Sequence, residues 1–113
     1  WLDLSHAGLE AMQYHPSADW LREHGYTPEL ARSVHIPRAS LFIDRAHNHE
    51  QPWAVLHELA HAYHDRVLGF DDPDILAVYE RFRDADRYRS VLHVCGNRRE
   101  HYGRTNQMEF FAE

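Results

Sequence analysis

The stretch Pro52-Trp53-Ala54-Val55-Leu56-His57-Glu58-Leu59-Ala60-His61-Ala62-Tyr63-His64 decides the reading of this chain. Pro52 is a favoured first-turn residue, and Trp53, Leu56, Ala60, Tyr63 and Val67 recur at helical spacing as far as Gly69, which predicts a helix. His57 and His61 stand four positions apart within it. Such a pair is offset by about 40° and about 6 Å along the axis, so both imidazoles leave one face and can meet one metal ion. Glu58, about 100° round from His57, flanks that face, where its carboxylate can take a proton from a metal-activated water. The bland alternative is a helix carrying two chance surface histidines.

A catalytic zinc needs a third protein ligand and an open position. His64 follows too closely on the same helix to complete a tetrahedral set, and supporting or surface roles suit it better. The stretch Asn106-Gln107-Met108-Glu109-Phe110-Phe111-Ala112-Glu113 reads as a second helix on which Glu109 and Glu113, four apart, share one face. One of these carboxylates can bind the ion, and the other can accept a ligand histidine's second ring N–H and fix its tautomer. Asn106, at the head of that helix, is a capping residue that supports Glu109.

Composition narrows the field around this constellation. The chain has 113 residues with a net charge of -6, all 12 of its basic residues being Arg. Hydrophobic residues at 43% against 27% charged describe one folded domain rather than a disordered tail. No apolar run approaches the roughly 20 residues of a membrane span, so membrane insertion is not expected. No basic cluster is denser than Arg98-Arg99, so nucleic acid is not an expected partner either. A single cysteine, Cys95, closes no intrachain disulfide and builds no thiolate zinc site. The compartment stays open between cytoplasm and export, and the oligomeric state is not legible.

Outward from the motif, the chain reads as α+β. Leu9 to His15 alternates and stops at Pro16, which predicts a strand at a sheet edge. Its Met12, Gln13 and Tyr14 could align an extended peptide by main-chain hydrogen bonds. Ser17 can cap a helix over 18–24 closed by Gly25; a turn follows Pro28; Ser33 to Ile36 reads as a second strand. Ala39 to Arg45 fits strand or helix. A helix after Asp72 opens with Pro73 and buries Ile75, Leu76, Tyr79 and Phe82. Val91 to Cys95, a Gly96-Asn97 turn and Arg99 to Tyr102 read as a hairpin. The last helix starts near Thr105 or Asn106 and is cut at Glu113, which suggests that the natural chain continues.

His57 to His61 followed by Glu109-Phe110-Phe111-Ala112-Glu113 resembles the gluzincin zinc metallopeptidases. The second stretch in particular resembles the anthrax lethal factor catalytic domain and related uncharacterised bacterial proteins. The metzincin pattern does not fit, because position 64 is His rather than Gly and position 67 is Val. The resemblance spans roughly residues 52 to 113. It implies a small zincin-like domain with a short, mostly antiparallel sheet, zinc held by His57, His61 and Glu109, and Glu113 as the acid beyond the last ligand. It also implies a catalytic Tyr seven residues before that ligand, where Tyr102 stands, with His101 the competing donor beside it. The activity implied is hydrolysis of a peptide or protein substrate, with Glu58 as general base. The added lobes that shape a deep cleft in lethal factor are missing, so substrate choice does not carry over. A zinc-binding regulatory protein without turnover, and a zinc hydrolase of esters or amides other than peptides, are the competing readings.

Overall fold

The computed structural model describes residues 11–113. Leu9 and Glu10 of the first expected strand therefore lie outside the described residues. The chain forms two compact units, one up to Ala62 and one from Tyr63 on, and the division falls inside a continuous helical segment.

In the first unit, β1 (Gln13–Tyr14) pairs antiparallel with β2 (Val34–His35), Gln13 opposite His35. The ladder runs on through His15 N–H to Ser33 O at 3.2 Å, and Arg32 N–H to His15 O at 2.6 Å returns the bond. Arg32 adopts φ 61° to make that turn, an unusual backbone state for a residue with a Cβ. Between the strands runs α1 (Ala18–Glu23). Ser17 is its N-cap by backbone position but makes no side-chain capping bond; Gly25, at φ +76°, closes it as the sequence predicts. Leu21, fully buried, anchors α1, while Tyr14, His15, His35 and Ala39 are buried with it. The Trp20 ring stacks on both His15 and His24.

The segment left open between strand and helix folds as two short helices, α2 (Ala39–Ile43) and α3 (Arg45–Glu50). Then comes α4 (Ala54–Tyr63), whose final turn widens into a π-helical turn over His64–Leu68. The Gly69 N–H donates to His64 O, five residues back, and Gly69 at φ +91° ends the run.

The periodic apolar stripe of α4 does not become core. Trp53 is 72%, Leu56 60%, Tyr63 52% and Val67 61% exposed. The inward positions are polar: the Glu58 carboxylate accepts the Tyr14 N–H, and His64 is completely buried. Helical spacing located the helix correctly, but spacing alone does not say which face turns inward.

The second unit is held by aromatic rings. In α5 (Pro73–Asp84) the Asp72 carboxylate caps the N–H groups of Asp74 and Ile75, as the sequence predicts. Tyr79 is buried and its hydroxyl donates to Arg104 O at 3.1 Å. Phe82 lies 4.1 Å from Tyr88 and 4.9 Å from Phe110 between ring centroids. β3 (Val91–Leu92) and β4 (Arg98–Arg99) form the expected hairpin, shorter than its sequence pattern, around Gly96 at φ +84°. Tyr102 is not in the second strand; it opens a 3-10 turn, Tyr102–Arg104, that leads into α6 (Gln107–Ala112). The molecule is thus α+β with two small antiparallel pairs, and no described helix is long and apolar enough to cross a membrane.

His64 and His15 carry a consequence for pH. Neither ring nitrogen of His64, nor Nε2 of His15, has a hydrogen-bond partner. Burial lowers the His64 pKa from its usual 6.5, against a smaller upward pull from Asp72 and Asp65, and burial lowers that of His15. Because the unfolded rings take protons first, this stability is complete above about pH 6.5 and is lost as pH falls towards the folded values. Thermal unfolding followed from pH 7.5 down to 5 should therefore show a falling Tm, with a shallower slope in His64→Leu. Equal slopes in the two proteins would remove His64 as the cause.

Candidate metal centre

The HExxH segment lies on α4, and Glu109 lies on α6. On α4, the His57 and His61 rings meet edge to face, centroids 4.6 Å apart, with Nε2 to Nε2 at 3.1 Å. One ligand atom from each of His57, His61 and Glu109 lies within 4.8 Å of the others. These three residues could hold a metal ion.

Several local features place Glu109. Asn106 is the N-cap of α6, and its side-chain oxygen accepts the Glu109 N–H at 2.9 Å. The Asn therefore starts the helix at the turn from which Glu109 projects. Gly103, in the turn before it, is buried, and a Cβ there would stand 3.3 Å from the Phe110 Cα, so the chain enters α6 where only glycine fits easily. Gln107 adds a bond from its side-chain N–H to Phe70 O.

Consecutive residues of α6 point in different directions, about 100° apart. Phe110 joins Tyr79 and Phe82 of α5. Phe111 lies 4.5 Å from the His64 ring and stacks on Tyr63, so it grips the end of α4. The Glu109 backbone is thus held between the cap and these two anchored phenylalanines. Glu113 follows one turn later at the end of α6, is exposed, and donates its N–H to Glu109 O.

Glu58 is not a member of the ligand group. Its Oε2 accepts the Tyr14 N–H at 2.6 Å, a short charge-assisted bond from β1. Gln13 is in the β1 ladder, Met12 directly precedes it, and the Tyr14 N–H is committed to Glu58. Tyr102 is 54% exposed. The His101 Nδ1 accepts the Gly103 N–H at 3.1 Å, and its ring packs edge-on against Phe82 and Tyr88.

Two structural features near the histidine pair escaped the sequence. The Tyr14 amide's bond to Glu58 joins residues 44 apart, and no local pattern announces it. The burial of His64 had a signal, since it stands seven positions after His57 and thus about 20° from it on a helix.

Metal titration of the purified protein should find one tight divalent site, lost in His57→Ala and His61→Ala. Asn106→Ala should lower stability by about 0.5–2 kcal/mol and weaken metal binding without removing a ligand. Full-strength binding in the His57→Ala, His61→Ala double variant would exclude the site. No family model matches the chain, and no match was found among curated proteins or solved structures.

Proposed function

We propose that this chain is a zinc-dependent peptidase domain of gluzincin type. The observation that carries the reading is the His57, His61 and Glu109 group on two helices, with Glu58 beside it but outside the ligand set. Two nitrogens and a carboxylate oxygen form a donor set used for catalytic zinc, where three protein ligands leave one position for water or substrate. Two nitrogens at about 2.0–2.1 Å from a tetrahedral ion stand roughly 3.3 Å apart, and the Nε2 atoms here are separated by 3.1 Å. The likeness of the stretch from Glu109 to Glu113 to lethal factor adds a motif-level argument.

His57, His61 and Glu109 would hold the ion, and Glu113 would orient a ligand ring. A zinc bound there would supply Lewis acidity, for a water and for the scissile carbonyl. Glu58 takes the proton from the attacking water as the C–O bond forms. It returns that proton to the nitrogen as the C–N bond breaks, so the leaving group departs as an amine. The Tyr102 hydroxyl donates to the oxygen on which negative charge develops, an interaction stronger in the transition state than in the ground state.

Glu58→Gln separates holding the ion from moving the proton. It should keep zinc and fold while losing roughly 2–4 powers of ten in turnover on a denatured-protein or peptide-library digest. Loss of zinc in that variant would make Glu58 a ligand instead. A zinc-loaded wild-type chain that cleaves no peptide would favour a binding or regulatory protein.

Tyr102→Phe keeps the ring and deletes the donor. Its folding and zinc content should be unchanged while turnover falls by about 10²–10³. Normal cleavage would remove Tyr102 from the mechanism.

A further inference from the structure

We infer that the Tyr14 main-chain amide is the positioning group for Glu58, so that strand β1 aims the proton acceptor of the helix. The inference rests on the peptidase reading of Glu58 and assigns β1 a part in the reaction itself.

Pairing in β1 settles the direction of the amide. His15 donates its N–H to Ser33 O, on the β2 side. Successive N–H groups of a strand point to opposite edges, so the Tyr14 N–H points away from β2. There it meets Glu58 Oε2 at 2.6 Å. The strand cannot easily slide to spoil this contact, because a one-residue slip would also turn the side chains over, and Tyr14 and His15 are both buried. The amide is held on both sides in sequence, by the Gln13 and His35 pairing before it and by the His15 to Ser33 bond after it.

Glu58 needs such a partner. A glutamate side chain has three rotatable bonds, and on a helix surface it samples many directions at little cost. Proton transfer requires one of them, and misplacement by about 1 Å can cost on the order of 10² in rate. A fixed N–H to one oxygen removes most of that freedom, while a carboxylate has about four acceptor sites and so retains capacity for a water. This bond comes to the Glu58 side chain from the main chain of a separate element, strand β1. The contact is made by the Tyr14 backbone, while its side chain is buried.

The test uses the full chain in two measurements. The first is amide hydrogen exchange without substrate: in Glu58→Ala the Tyr14 amide should exchange at least about ten times faster, and the His15 amide, bonded to Ser33, should not change. The second replaces Tyr14 by its α-hydroxy acid, which keeps the side chain and exchanges the N–H for an ester oxygen. With zinc loaded, kcat should fall roughly 10–100-fold at unchanged KM and metal content.

Equal Tyr14 exchange in wild type and Glu58→Ala overturns the inference, as does an unchanged kcat in the ester variant. A raised KM at unchanged kcat overturns it in favour of substrate pairing with β1. A wild-type chain that binds zinc and cleaves nothing overturns the peptidase reading. That failure is distinguished by the exchange measurement, which needs no turnover and would then leave the bond with a structural role only.

Discussion

The packing of Phe111 against the end of α4 is the contact on which the candidate site depends. α6 has six residues, too few to be stable as an isolated helix. It exists because its neighbours hold it: the Asn106 cap at one end, Phe110 among the rings of α5, and Phe111 on His64 and Tyr63. Aromatic pairs add about 0.5–1.5 kcal/mol beyond burial of their area. Several acting together offset the cost of ordering so short a segment. Glu109 is the residue carried into place by this packing, and its position follows from phenylalanines that have no chemistry of their own.

α4 is arranged in the opposite sense from an ordinary amphipathic helix. A core helix turns its apolar stripe inward; here Trp53, Leu56, Tyr63 and Val67 are outward and the histidines and Glu58 are engaged. An unpartnered buried polar group costs about 1–3 kcal/mol, and both nitrogens of His64 are in that position. Such a cost is tolerated where the polar face has a task. The π-helical turn starting at His64 belongs to the same region, and insertions of this kind recur at functional sites.

What the sequence revealed divides along a physical line. Local chemistry was legible: Pro73 after a capping Asp72, the Asn106 cap, the Gly25 and Gly69 stops and the hairpin around Gly96 all act within a few residues. The histidine pair was legible because helical geometry alone sets its spacing. The inward face of α4 was not, since its partners come from β1 and α6. Nor was the conformation of Ala39 to Arg45, where the residues fit either period and the chain forms a short helix that ends at Ile43, with another starting at Arg45. Tyr102 was expected on a strand and sits on a turn, because the Arg98–Arg99 strand is short and His101 leaves it to cap the 3-10 turn.

The small core gives the site a further meaning for stability. Few large apolar side chains are fully buried among the described residues, with Leu21 foremost, while many are exposed. An ion held by His57, His61 and Glu109 would draw on side chains from two separate helices. Because ligands drawn from separate elements come together only in the fold, binding energy at such a site is also folding energy. The arrangement that would leave a coordination position open for chemistry would therefore also brace the short helix that supplies its third ligand. Catalytic geometry and stability would then select for the same residues, and a change at Phe111 or Asn106 would be felt in both although neither belongs to the ligand group.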